Sequence, residues 1–95
     1  MKKIAIICPL YNEEKSLPIF IDEIKKVEQK ISDKYELDIV FSNNASTDRT
    51  HSMLEELSIK YKNIYYYTLS KNFGYQNSLN FALKNTTGDL FIIID

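Results

Sequence analysis

Polar and aromatic residues form four short segments in the chain, and each segment directly follows a run of apolar residues. They are residues 9–14 (PLYNEE), 43–50 (NNASTDRT), 70–77 (SKNFGYQN) and, at the end of the chain, Asp95. Side chains of these types offer amide, hydroxyl and carboxylate groups to a polar ligand, and carboxylate oxygens suit hard cations such as Mg²⁺. The four segments are therefore the candidate ligand-binding parts of the chain.

The apolar runs before these segments have the length of β-strands and cover residues 3–8, 37–42, 64–69 and 90–94. They are apolar almost without interruption, which is typical of a parallel sheet covered on both faces. Helical periodicity fills the intervals between them. It predicts a first helix with an inward stripe from Leu17 to Ile31 that includes Val27, a second helix starting within residues 46–48, and a third over about residues 75–84.

The order β-α-β-α-β-α-β predicts an α/β fold with an open, mostly parallel, doubly wound sheet. Ligands of such sheets bind outside the carboxyl ends of the strands, so the four polar segments should meet at one edge. Asp48 is expected to cap the start of the second helix rather than to contact a ligand. Cys8, at the end of a central strand, is expected to be a small buried apolar group.

Composition excludes several classes of protein. The 95 residues carry 12 Lys and Arg against 13 Asp and Glu, a net charge of −1, which excludes a polybasic nucleic-acid-binding module. The single cysteine cannot form an internal disulfide, which favours a reducing, cytoplasmic location. Neither G-x-G-x-x-G nor G-x-x-x-x-G-K-[ST] occurs, so the usual dinucleotide and P-loop sites are excluded.

Four motifs, in order and at compatible spacing, resemble the nucleotide-sugar-binding part of family 2 glycosyltransferases, which have the GT-A fold. They are residues 9–13 (PLYNE), 44–48 (NASTD), 71–74 (KNFG) and 88–95 (GDLFIIID). The third is particularly similar to the branch that glycosylates dolichyl or undecaprenyl phosphate. The resemblance covers the whole chain. It implies that residues 1–95 are the Rossmann-like nucleotide-sugar-binding part of a GT-A domain, truncated at its C-terminal end.

The resemblance also implies roles for particular residues. Tyr11 would offer its ring to the base or ribose, and Lys71 would be a charge partner of the diphosphate. Asp95 would be the first carboxylate of an Asp-x-Asp motif that binds Mg²⁺ or Mn²⁺. The family usually has Asp-Asp or Asp-Asn where this chain has Asn43 and Asn44. The complete expected set of nucleotide-sugar contacts is Pro9, Tyr11, Asn12, Glu13, Asn43, Asn44, Ser46, Lys71, Asn72, Gly74 and Asp95.

The activity implied for the parent protein is transfer of a sugar, with inversion, from a nucleoside-diphosphate sugar to a lipid phosphate or glycan. A UDP-sugar is the favoured donor, and such a parent could associate with the cytoplasmic face of a membrane. We expect no catalytic residue within these 95 residues and no turnover by them alone. The alternative is a non-catalytic α/β domain with a decayed nucleotide site that binds a protein or a small polar ligand. Its best support is the Asn43–Asn44 pair.

Overall fold

The computed structural model describes residues 1–94 and shows a parallel sheet of four strands flanked by three helices. The elements are β1 (Lys2–Leu10), α1 (Leu17–Ile31), β2 (Tyr35–Asn43), α2 (Thr50–Lys60), β3 (Ile64–Thr68), α3 (Tyr75–Lys84) and β4 (Leu90–Ile93). The strands lie in the order β3-β2-β1-β4, and every neighbouring pair is parallel. The predicted fold class and element order are confirmed.

The two faces of the sheet are covered by different helices. On one face, Ile39 and Phe41 of β2 belong to an apolar core that includes Ile21 of α1 and Leu54 of α2. On the other face, Val40 packs in a second core that includes residues of α3. The chain therefore crosses to the opposite face after β3. As a result the strand order reverses between β1 and β4, the position at which doubly wound sheets bind ligands.

The two central strands are longer than their apolar runs. β1 continues through Pro9 to Leu10, and β2 includes Asn43, so these residues lie in strands rather than in the predicted connecting segments. Leu10 accepts a bond from the residue after β2, whereas Ile7 accepts one from Ile94. Successive residues of a strand form hydrogen bonds with opposite neighbours. The backbone nitrogen of Pro9, which carries no hydrogen, therefore faces β4. Within residues 1–94, the register pairing of β1 with β4 extends to Ile7.

Three predictions about burial are wrong. Val27 is exposed because the buried side of α1 is narrower than its apolar stripe and consists of Leu17, Ile21 and Ile24. Cys8 is partly exposed, at the margin of the core formed with α1 and α2. All four residues of β4 are exposed, because within residues 1–94 neither apolar core includes their side chains.

Helix boundaries match the predictions at α1 and α3 but not at α2. Ser16 is the residue before α1, and α3 covers the expected residues 75–84. α2 begins at Thr50, with Arg49 rather than Asp48 in the capping position. Among residues 1–94, the helices are all too short or too polar to cross a bilayer.

Candidate functional site

Three loops meet at the carboxyl edge of the sheet. Leu10 of β1 is level with Asn43 of β2, which in turn is level with Thr68 of β3. We call residues 11–16 the first loop, residues 44–49 the second loop and residues 69–74 the third loop; each follows one of these strand ends. Three of the four segments that the sequence predicted to converge are therefore neighbours in space, and Asp95, the fourth, lies outside the described residues.

Asn12 joins the first loop to the second. Its backbone N–H donates to Ser46 Oγ at 2.9 Å, and its side-chain Oδ1 accepts the backbone N–H of Thr47 at 2.7 Å. The same oxygen lies 3.3 Å from the N–H of Asp48, and Nδ2 donates to Thr47 Oγ1 at 3.2 Å. Asn12 has φ 52°, a left-handed conformation that Asn tolerates better than most residues. Asn12 thus connects the two loops through both its backbone N–H and its side chain.

Thr50, the first residue of α2, makes a second connection between the same loops. Its side chain is completely buried, and its hydroxyl both accepts the Glu13 N–H at 2.9 Å and donates to Asp48 Oδ1. The Asp48 carboxylate also accepts the backbone N–H groups of Thr50, at 2.9 Å, and of Glu14, at 3.3 Å. Asp48 therefore bonds to the first turn of α2, although it is not the capping residue.

The pKa of Asp48 reflects these contacts. Partial burial acts to raise it, but the hydrogen bonds from the hydroxyl and amide of Thr50 and from the amide of Glu14 have the larger combined effect and lower the pKa. The Asp48 carboxylate therefore stays charged and remains fixed by its hydrogen bonds to Thr50 and Glu14. This arrangement favours the structural role that the sequence predicted for Asp48.

Asn43 and Ala45 show how tightly the second loop turns. Asn43 is fully buried; its Oδ1 accepts the Ser46 N–H at 3.1 Å, whereas its Nδ2 is buried without a hydrogen-bond partner among residues 1–94. Ala45 has φ 60°, which is unfavourable for an alanine by about 1 to 2 kcal/mol. The strained conformation persists because hydrogen bonds from Asn12 and Asn43 fix the residues on both sides of Ala45.

We expect Ala45→Gly to stabilise the protein by about 0.5 to 1 kcal/mol, because relief of the left-handed strain exceeds the extra entropy that glycine gives to the unfolded chain. Urea unfolding followed by circular dichroism measures the change. Ala82→Gly is the matched control: Ala82 lies in α3, where the same substitution should destabilise by about 1 kcal/mol or more. Destabilisation by Ala45→Gly would show that the turn is not strained in solution.

The third loop is fastened to the second through two asparagines. Asn44 Nδ2 donates to Asn72 Oδ1 at 2.8 Å, and Asn44 Oδ1 accepts the Phe73 N–H at 2.9 Å. Lys71 lies with its Nζ 5.1 Å from the centre of the Phe73 ring. Gly74, which precedes α3, has φ 89°, a conformation that favours glycine. The third loop therefore presents an exposed cation beside the two tied loops.

The edge also offers surface for a ligand. Tyr11 is 43% exposed although it adjoins the buried end of β1. A cavity of about 290 Å³ lies under the first loop and is lined by Pro9, Glu13, Ile94 and neighbouring apolar residues. The Glu13 carboxylate accepts the hydroxyl of Ser16, which keeps it close to the start of α1. An exposed aromatic ring and a mostly apolar cavity thus lie near the end of β1.

Six of the predicted contact residues fall into two groups in the structure. Asn12, Ser46, Asn44 and Asn72 use their side chains to hold the loops, whereas Tyr11 and Lys71 extend into solvent. Sequence reasoning missed the part played by Thr50, although its position two residues after Asp48 at the start of a helix was an available signal. The roles assigned to these residues as nucleotide contacts stay predictions, and Asp95 lies outside the described residues.

The described carboxylates do not form a metal centre. Within residues 1–94 there is no group of three or more His, Cys, Asp or Glu side chains that could hold a cation. The loops contain three carboxylates, those of Glu13, Glu14 and Asp48, and the carboxylates of Glu13 and Asp48 already accept hydrogen bonds from Ser16 and Thr50. The predicted metal site thus depends on Asp95, whose carboxylate has the right donor chemistry but is a single ligand.

Comparison with known proteins gives consistent results. The family model described as Glycosyl transferase family 2 matches residues 5–95. The bactoprenol glucosyl transferase of Shigella phage SfX is 36% identical over 93 residues, which are 98% of this chain and 30% of that protein. The prophage bactoprenol glucosyl transferase homolog of Escherichia coli (strain K12) gives the same identity and coverage. This chain therefore spans about 30% of the length of these curated relatives.

Two solved structures have similar folds. The mannosyltransferase PcManGT from Pyrobaculum calidifontis, in complex with GDP-Man and Mn²⁺, has a TM-score of 0.80 at 26% identity, covering 95% of this chain and 26% of that one. Residues 1–349 of S. aureus TarS, in complex with UDP, have a TM-score of 0.78 at 26% identity, covering 98% of this chain and 27% of that one. The fold described above is thus similar to that of proteins solved with a sugar nucleotide or a nucleotide bound.

Proposed function

The chain belongs to glycosyl transferase family 2, and we propose that it is the donor-nucleotide part of an enzyme that transfers a sugar from a nucleoside-diphosphate sugar to a lipid phosphate. The observation that carries the proposal is the set of hydrogen bonds by which Asn12 joins the first and second loops beside the reversal of strand order. The names of the curated relatives support a polyprenyl-type lipid acceptor. Such an enzyme would act at a membrane, and the cytoplasmic face is the proposed side.

In this proposal the rigid loops form the floor of the nucleotide site and the exposed groups make the contacts. Tyr11 stacks on the base or ribose, and Lys71 attracts the negative diphosphate. The hydrogen bonds that already connect the loops in the free protein reduce the loss of conformational entropy on nucleotide binding. The buried Nδ2 of Asn43 is a hydrogen-bond donor, in contrast to the acceptor that a carboxylate would supply at the same position. For this reason the proposal covers both uracil and guanine nucleotides.

Metal use and stereochemistry are further parts of the proposal. The Mn²⁺ in the PcManGT complex and the motif position of Asp95 support a Mg²⁺ or Mn²⁺ ion bound through Asp95. When bound, such an ion would neutralise charge that develops on the leaving diphosphate. Residues 1–94 supply no complete ligand set, and the roles given above to Tyr11 and Lys71 do not depend on the ion. Inversion at the anomeric carbon is proposed from the resemblance alone.

We expect the 95-residue chain to bind UDP or GDP with a dissociation constant on the order of 1 mM, more tightly with Mn²⁺, and to transfer no sugar to a polyprenyl phosphate. Isothermal titration calorimetry measures binding. Tyr11→Ala should weaken it several-fold, because the exposed ring is lost. Tyr65→Ala is the matched control, since Tyr65 is similarly exposed (48%) but lies in the edge strand β3.

Each result has a distinct meaning. Absence of binding by either nucleotide at millimolar concentration with Mn²⁺ would contradict the donor-site proposal and favour a non-catalytic domain with a decayed site. Equal loss of affinity in Tyr11→Ala and Tyr65→Ala would contradict the stacking role of Tyr11. Detectable sugar transfer by the 95-residue chain would contradict its proposed inactivity.

A further inference from the structure

Asn44 has a different set of contacts from the other predicted nucleotide-binding residues. It lies directly after β2 and is 5% exposed. Its Nδ2 and Oδ1 both bond to the third loop, and its backbone N–H donates to the carbonyl of Leu10 in β1 at 2.9 Å. The residue therefore connects the third loop to the two central strands, and both polar groups of its side chain already have protein partners.

The hydrogen bonds of Asn72 explain why an amide is needed at position 44. Asn72 Oδ1 accepts two bonds, one from Asn44 Nδ2 and one from the Gly74 backbone N–H, each at 2.8 Å. Turning the Asn72 amide over would place its NH₂ group against the Gly74 N–H, which is also a donor. Asn72 must therefore present oxygen to position 44. An ionised Asp there would place oxygen against oxygen, and only its protonated form could donate.

The same contacts determine where the third loop lies. Phe73, whose N–H is bound by Asn44, also carries the ring beside Lys71 and accepts Asn77 Nδ2 at 2.9 Å through its carbonyl. Gly74 follows at the start of α3. Release of Asn44 would free the segment that carries Lys71 while leaving the bonds between the first and second loops in place.

We propose that Asn44 is a positioning residue that latches the third loop to β2 and so holds Lys71 at the diphosphate position, rather than a contact to the nucleobase. The proposal rests on the proposed function for the diphosphate, but the latch itself can be measured without any nucleotide. The amide of Asn44 thus has a structural role that an aspartate at this position could perform only when protonated.

The first test measures amide hydrogen exchange of the free chain by NMR at pH 7 and pH 4. At pH 7, Asn44→Ala and Asn44→Asp should each reduce the protection factor of the Phe73 amide about tenfold. At pH 4, near the ordinary aspartate pKa of about 3.9, Asn44→Asp should regain much of its protection and Asn44→Ala should not. Asn80→Asp, an exposed substitution in α3, is the control and should leave Phe73 protected.

The amide of Ile39, a fully buried residue of the central strand β2 that donates to the carbonyl of Asn63, serves as an internal reference for global unfolding. Unchanged Phe73 protection in Asn44→Ala would overturn the proposal. So would loss of protection in Asn44→Asp with no recovery at pH 4, because the latch would then not depend on a donor at position 44.

The second test compares the affinities of UDP and uridine by NMR titration. Asn44→Ala should weaken UDP binding about fivefold and leave uridine binding unchanged, since uridine has no diphosphate for Lys71. Lys71→Ala should give a similar pattern, and the double variant should bind UDP no more weakly than Lys71→Ala alone. An equal loss for UDP and uridine would indicate a base contact and overturn the proposal. If the wild-type chain binds neither ligand while the exchange results are as expected, the proposed function fails and the latch stands.

Discussion

Phe41→Ala is expected to destabilise the protein by about 3 to 5 kcal/mol, the largest effect of any single substitution considered. Phe41 lies in β2, is fully buried, and packs edge-to-face against Phe20 of α1 with ring centres 5.9 Å apart. Removal of its ring leaves a cavity between the sheet and α1. A domain of this size has about 5 to 14 kcal/mol of stability in total, so the variant should be marginally folded. Urea unfolding measures the loss.

Phe81→Ala is the matched control for Phe41→Ala. Phe81 also makes an edge-to-face contact, with Tyr67 at 5.1 Å, but it is 37% exposed on α3. Its truncation should cost less than about 1.5 kcal/mol, since water already reaches part of the ring. Similar losses in the two variants would contradict the assignment of the main core to the α1 and α2 face. Because Phe41 lies two residues before Asn43, Phe41→Ala should also loosen the second loop.

The order of strands and helices could be predicted from the sequence, because it follows from the pattern of apolar side chains. The runs ending at Cys8 and Ser42 identified the central strands, and the periodicity of residues 75–84 identified α3. The sequence placed the ends of β1 and β2 too early in the chain, because Pro9 and Asn43 are residue types that are common in loops. Asn43 nevertheless belongs to the strand, where it is fully buried and its Oδ1 accepts a backbone N–H of the second loop.

The meeting of the loops could be predicted, but the pairing of their side chains could not. Asn12 and Thr47 are 35 residues apart in the sequence, and Asn44 and Asn72 are 28 apart. Each loop contains several amide or hydroxyl groups, so many pairings are chemically reasonable and only the register of the strands selects among them. The sequence therefore indicated Asn44 as a member of the site, whereas its contacts with the third loop emerge only from the fold.

Thr50→Val is expected to destabilise the protein by about 2 kcal/mol at pH 7. The substitution keeps the shape of a fully buried side chain but removes the acceptor for the Glu13 N–H, and a buried donor without a partner costs about 1 to 3 kcal/mol. Thr68→Val is the control, because Thr68 is exposed at the end of β3 and its hydroxyl contacts only the exposed His51 among the hydrogen bonds of the described residues. That variant should change stability by less than about 0.5 kcal/mol.

The pH dependence of Thr50→Val provides a second, independent measurement of the same contacts. The folded protein lowers the pKa of Asp48, although partial burial acts against it, and the Thr50 hydroxyl is the strongest of the groups that lower it. A carboxylate with a lowered pKa stabilises the fold above its unfolded value of about 3.9, and this stabilisation disappears as the pH falls through the folded pKa. The difference between wild type and Thr50→Val should therefore be largest near neutral pH and become smaller below about pH 4. Urea unfolding at pH 7, 5 and 3 measures it, and a difference that stays constant across this range would show that the Thr50 hydroxyl does not act through the Asp48 carboxylate.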